Sequence, residues 1–168
     1  MNILVRLLAY GVSVWLSNKY AGGYWVVGPV FGVAVVLHDM KDIHDLRPVK
    51  HGLFIVFSTL IYALVYRISL LKWGTDTPLY NYVIGPMPAA IVTGSILMAF
   101  MHTVVMNKSK EQMLRAVIVL IVGYYFVTAL MFANEKFSLN LNVQWMMVLI
   151  GAWQGLYLYT FFWKKRKG

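Results

Sequence analysis

Residues 114–133 read LRAVIVLIVGYYFVTALMFA, twenty positions with no charge after Arg115. At about 1.5 Å of rise per residue, a helix of this length covers about 30 Å, the thickness of a bilayer's hydrocarbon core. The rest of the chain shares this character. Of 168 residues 60% are hydrophobic and 12% charged, and the mean hydropathy is +0.67. Soluble domains carry about 25% charged residues. A 19.2 kDa globule has too much surface to hide so much apolar area. Soluble, disordered and disulfide-stapled classes are therefore excluded. The sequence predicts an all-α, polytopic integral membrane protein whose residues 1–168 form a single transmembrane domain.

Outward from residues 114–133, five further apolar segments are expected: Ile3 to Ser17 or Tyr20, Gly22–Leu37, Gly52–Leu71, Tyr82–Met101 and Val143–Trp163. The first two are short. Only Ser17-Asn18-Lys19-Tyr20-Ala21 joins them, which allows either a tight helical hairpin or a helix followed by a re-entrant segment. Six spans place the connections alternately on two sides. One side collects Arg6, Lys41, Arg47, Lys50, Lys108, Lys110, Arg115 and the basic C-terminus Lys164–Lys167, eleven cations in all; the other holds Lys19, Arg67, Lys72 and Lys136. The positive-inside rule puts the first set, with both termini, in the cytoplasm. A multi-pass protein of a bacterial inner or plasma membrane is expected. No cleavable signal peptide is read at the N-terminus, because no small-x-small site follows the first apolar run.

The net charge of +9 flanks apolar runs, so it reads as topology and lipid-headgroup contact; nucleic acid is not an expected partner. Absence of cysteine removes thiolate metal sites and redox dithiols. Arg6 and Arg67 lie near span ends, where a long stem can snorkel to the interface. Tyr24, Trp25, Trp73, Tyr80, Tyr82, Trp145 and Trp163 fit an aromatic belt.

Two segments share a pattern, Trp25-Val26-Val27-Gly28-Pro29 and Tyr82-Val83-Ile84-Gly85-Pro86. Proline either opens a helix in its first turn or breaks one at a transport site. Gly28/Gly32 and Gly151/Gly155 form G-x-x-x-G pairs, which let helices approach closely. They would suit a homo-oligomer or a membrane-protein partner.

The polar stretch His38–His51 leaves the second segment and enters the third. With His102 it supplies a candidate metal set, His38, Asp39 and His102, and otherwise reads as a solvated loop. No H-E-x-x-H, Walker loop, nucleophile elbow or phosphatidyl-transfer motif occurs. Every acid (Asp39, Asp42, Asp45, Asp76, Glu111, Glu135) falls in a loop or at a span end, which disfavours pumping through buried carboxylates. Mid-span polarity is neutral. Gln154 needs hydrogen-bond partners, either on another helix or on a small solute beside Trp153.

Ser17-Asn18-Lys19, then Gly28-Pro29-Val30-Phe31-Gly32, then Leu37-His38-Asp39, resemble the start of the queuosine-precursor transporters, a family that carries 7-deazaguanines. The likeness covers residues 15–52. It implicates Asn18, Lys19 and Asp39; where the family has a Glu one turn later, this chain has Ile43.

These readings converge on a transporter or channel-like carrier of a small, largely uncharged solute such as an aromatic heterocycle. Asn18, Trp25, Asp39 and Gln154 are its expected substrate contacts, the bilayer its surroundings, and no cofactor is implied. Two alternatives stand beside it: a non-catalytic accessory subunit of a membrane complex, and a membrane enzyme with a cytoplasmic His/Asp metal site.

Overall fold

The computed structural model describes residues 3–20, 24–40, 47–71, 77–137 and 145–162. Within them run seven helices: α1 (Ile3–Lys19), α2 (Tyr24–Asp39), α3 (Pro48–Ser69), α4 (Pro78–Val83), α5 (Pro86–Met106), α6 (Lys110–Lys136) and α7 (Trp145–Phe162). No strand occurs among the described residues. Three stretches are long and apolar enough to cross a bilayer: Pro48–Ser69, Tyr80–Met106 and Lys110–Lys136. Shorter apolar helices cover Ile3–Ser17, Trp25–Asp39 and Val148–Phe162. The chain is thus an all-helical membrane protein by length and composition.

Its interior and surface are composed as a bilayer requires. Leu7, Leu8, Val122 and Phe126 face outward, while Ser13, Ser17, Ser58, Ser95, His102 and Gln154 are buried. Lipid offers apolar side chains a home but offers polar groups no partner, so the polar groups turn inward and bond one another.

Six helices close into a ring. α1 packs on α2, α2 on α3, α3 on α5, α5 on α6, α6 on α7, and α7 returns to α1. Each contact has a local cause. Gly28 of α2 leaves no room for a side chain against the Thr59 backbone of α3, and a Cβ on Gly32 would lie 2.9 Å from the Ile55 Cα. Ser58 donates to the Gly28 carbonyl at 2.7 Å across this seam. At the ring's closure, Tyr10 of α1 donates to the Gly151 carbonyl of α7 at 2.8 Å, and its hydroxyl would lie 2.9 Å from a Cβ on Gly155. Both G-x-x-x-G pairs are therefore seams between helices of one chain.

The two Gly-Pro sites part company. Pro29 lies inside α2. At the second site the expected Tyr82–Met101 segment is divided: α4 ends at Val83, Gly85 caps α5, and Pro86 occupies the first turn, where its missing N–H costs nothing. Between α5 and α6 the chain reverses in three residues. Asn107 adopts φ 55°, ψ 46°, a left-handed conformation that asparagine tolerates. Ser109 and Gln112 then cap α6 reciprocally, as a capping box does.

One end of the ring, here the basic end, joins the start of α1 to the ends of α2, α5 and α7. There Arg6 donates to the Met40 carbonyl at 2.9 Å, so its guanidinium secures the end of α2 instead of reaching outward along lipid. Lys108 pairs with Asp39 at 2.5 Å. Residues 41–46 and the tail Lys164–Lys167 lie outside the described residues.

Candidate functional site

A cavity of about 470 Å³ lies inside the ring, and all six ring helices wall it. Ser17 comes from α1, Val27 from α2, Tyr62 and Tyr66 from α3, Met98 from α5, Tyr124 from α6 and Trp153 from α7. The lining continues to Ser69 and Leu70, where α3 finishes, and to Met87, where α5 begins. The space therefore runs from mid-bundle toward the end opposite Arg6. Among the described residues no charged side chain lines it. An apolar, aromatic concavity with a few hydroxyls suits a small neutral molecule.

Toward the basic end the cavity stops at a packed aromatic layer. Phe31, fully buried, lies 5.8 Å from Tyr62, 5.7 Å from Trp153 and 5.4 Å from Tyr157 by ring centroids. Beyond it His102 stacks on Phe161 at 4.2 Å and lies 5.3 Å from Phe54. Such spacings are the ordinary range for packed rings. The His102 Nδ1 is 2.8 Å from the Tyr157 hydroxyl, which donates to the Met98 carbonyl at 3.1 Å. The His102 Nε2 has no hydrogen-bond partner among the described residues. Phe162 closes the layer, with the Lys108 amine 5.3 Å above its ring and the His38 ring 5.6 Å away.

No family model, curated protein or solved structure matches this chain. What the site does is therefore read from its own geometry.

Of the residues singled out from sequence, Gln154 is the centre of a buried network. Ser13 donates to its Oε1 at 2.9 Å. Its Nε2 donates to Ser17 Oγ at 2.9 Å and to the Tyr62 hydroxyl at 3.3 Å. Gln154 bonds between helices and stands behind the cavity wall rather than in it. Asp39 is engaged by Lys108 at the basic end, away from the cavity lining. Trp25 is 69% exposed at the start of α2, the position of a belt residue rather than of a buried contact. Asn18 belongs to α1, but its side chain lies outside the described residues. The Lys19 amine sits over the Trp15 and Tyr20 rings, at 5.1 and 5.6 Å.

The trio His38, Asp39 and His102 does not converge. His38 Nδ1 donates to the Ala34 carbonyl at 2.7 Å, and Asp39 and His102 have the partners given above. Among the described residues no group of three or more His, Asp or Glu could hold a metal ion.

Sequence reasoning gave Ser13, Ser17, Tyr62 and Lys108 no part in the site. Ser13 and Ser17 are spaced i,i+4, so both present hydroxyls on one face of α1. That spacing was the readable signal for a polar partner opposite. Nothing local marks Tyr62 among eleven tyrosines.

Proposed function

We propose that this chain is a six-span carrier of a small, largely uncharged solute, with both termini and the basic end in the cytoplasm. One observation carries the reading. A neutral cavity walled by every helix of a closed ring extends toward one end and is stopped by aromatic packing and an ion pair at the other. A carrier at rest, facing outward, has this form. The likeness of residues 15–52 to queuosine-precursor transporters supports the same class and favours a nitrogen heterocycle. The basic end carries Arg6, Arg47, Lys50, Lys108, Lys110 and Arg115 among the described residues, and the opposite end Lys19, Arg67 and Lys136, which supports its cytoplasmic placement. No acid lies in mid-span, so the solute moves downhill or a partner supplies the energy.

The test is uptake by proteoliposomes of neutral aromatic heterocycles, 7-deazaguanine included. Saturable entry is expected, and Ala90→Phe, which fills the cavity, abolishes it. Entry no faster than into protein-free vesicles, for every heterocycle tried, overturns the reading. Co-purification with a larger complex in that case would favour the accessory-subunit alternative.

A further inference from the structure

The Gln154 amide reaches the cavity only through other side chains, and this fixes the chemistry that the cavity presents. With Ser13 donating to Oε1, both Nε2 protons point at the Ser17 and Tyr62 oxygens. Each hydroxyl oxygen is thereby used as an acceptor, and its own proton must go elsewhere. Among the described residues neither proton has an acceptor, and both side chains line the cavity. A hydroxyl that accepts from an amide is also polarised into a better donor. Other donors on the wall are turned away: Trp153 gives its Nε1 proton to Ser95 at 3.1 Å, Tyr124 its hydroxyl proton to the Tyr82 carbonyl at 2.8 Å, and Ser69 its own to the Tyr66 carbonyl at 2.7 Å. The Tyr62 and Trp153 rings meet at 86° with centroids 6.1 Å apart, forming an aromatic corner against which a flat molecule can lie.

We infer that the cavity selects neutral planar solutes bearing a hydrogen-bond acceptor, a ring nitrogen or a carbonyl, which takes the protons of Ser17 and Tyr62. Gln154 is the positioning residue that orients both hydroxyls. The inference rests on the carrier reading only in taking the cavity as the solute's seat. It names what that reading leaves open: a solute recognised by what it accepts, with donor groups unrewarded. A solute without an acceptor leaves two buried hydroxyls unmatched, and unmatched polar groups are what a hydrogen-bonding pocket rejects most strongly.

Three bicyclic probes of nearly one shape separate the possibilities. Quinoline offers an acceptor, indole a donor, and naphthalene neither. Their binding to the full chain in nanodiscs is measured by equilibrium dialysis, with empty nanodiscs as blank and at a pH where quinoline is neutral. Quinoline is expected to bind about fivefold to tenfold more tightly than naphthalene, the range of about one net hydrogen bond, with indole no tighter than naphthalene. In the double variant Ser17→Ala, Tyr62→Phe, which keeps both aromatic rings, the three probes should fall within about twofold of one another. Gln154→Leu should bring the quinoline-to-naphthalene ratio to within about twofold, a change that a smaller folded fraction does not produce because it lowers both bindings alike. Indole binding as tightly as quinoline overturns the inference. So does a quinoline advantage that survives the double variant, or no probe exceeding the blank. Saturable uptake by proteoliposomes can persist in each of these cases, so the two proposals fail separately.

Discussion

The two ends of the ring are built from the same residue types and arrive at opposite results. Toward one end Tyr62, Tyr66, Tyr124 and Trp153 stand around open space. Toward the other, Phe31, Phe54, Tyr157 and Phe161 fill it. What differs is how the helices are tied. At the filled end the Asp39–Lys108 pair joins α2 to the α5–α6 turn, and Arg6 joins α1 to the end of α2. At the open end the described residues hold no ion pair, and the α4–α5 break at Ile84 and Gly85 interrupts the wall. In this bundle the packed rings stand at the end that carries the charge-assisted ties, and the open space at the end where the described residues carry none.

The largest expected effect comes from truncating the barrier. Phe31→Ala should lower stability by about 3–5 kcal/mol, the cost of removing a buried aromatic side chain, read as a fall in detergent melting temperature. Ile91→Ala, on the cavity wall, should cost clearly less, since one face of that side chain has few partners to lose. Equal costs would erase the contrast between the ends. Next comes the seam beside the barrier. Gly28→Leu forces α2 off the Thr59 backbone and should cost about 1–3 kcal/mol, as overpacking does.

A third measurement uses the natural absence of cysteine. With Ile61→Cys on the cavity wall, an impermeant maleimide should label from the open side only. Asp39→Asn leaves Lys108 without its carboxylate, a loss of about 1.5–3 kcal/mol for a charge-assisted bond, and should admit label from the basic side. The charge swap Asp39→Lys with Lys108→Asp should restore one-sided labelling; two-sided labelling of Ile61→Cys with the natural Asp39–Lys108 pair intact would break the comparison. Smallest is Gly11→Ala. A Cβ there meets nothing within 4 Å, so the change should be neutral or stabilise by up to about 1 kcal/mol.

Much of this architecture is legible in the sequence because hydropathy is a local property. Residues 114–133 announce a span without reference to anything else, and α6 contains them. The break at Gly85 is readable only as one of two alternatives, since Gly28-Pro29 has the same local pattern yet stays helical. The site was less legible. In a bilayer the apolar residues no longer report which face is buried, because lipid receives them as readily as a core does. Gln154 was visible as a lone mid-span amide. That it reaches the cavity through Ser17 and Tyr62, more than 90 residues away in sequence for each, depends on how the ring closes. Asp39 was read as a solute contact for want of its partner, Lys108, 69 residues downstream.

The three-residue reversal at Asn107-Lys108-Ser109 bears on how the ring can open. A turn this short ties the end of α5 to the start of α6, so the two helices move as a pair. Lys108 sits in that turn and holds Asp39 at the end of α2. A single ammonium is thus the latch between the hairpin and α2, and parting them at this end requires that the latch be released.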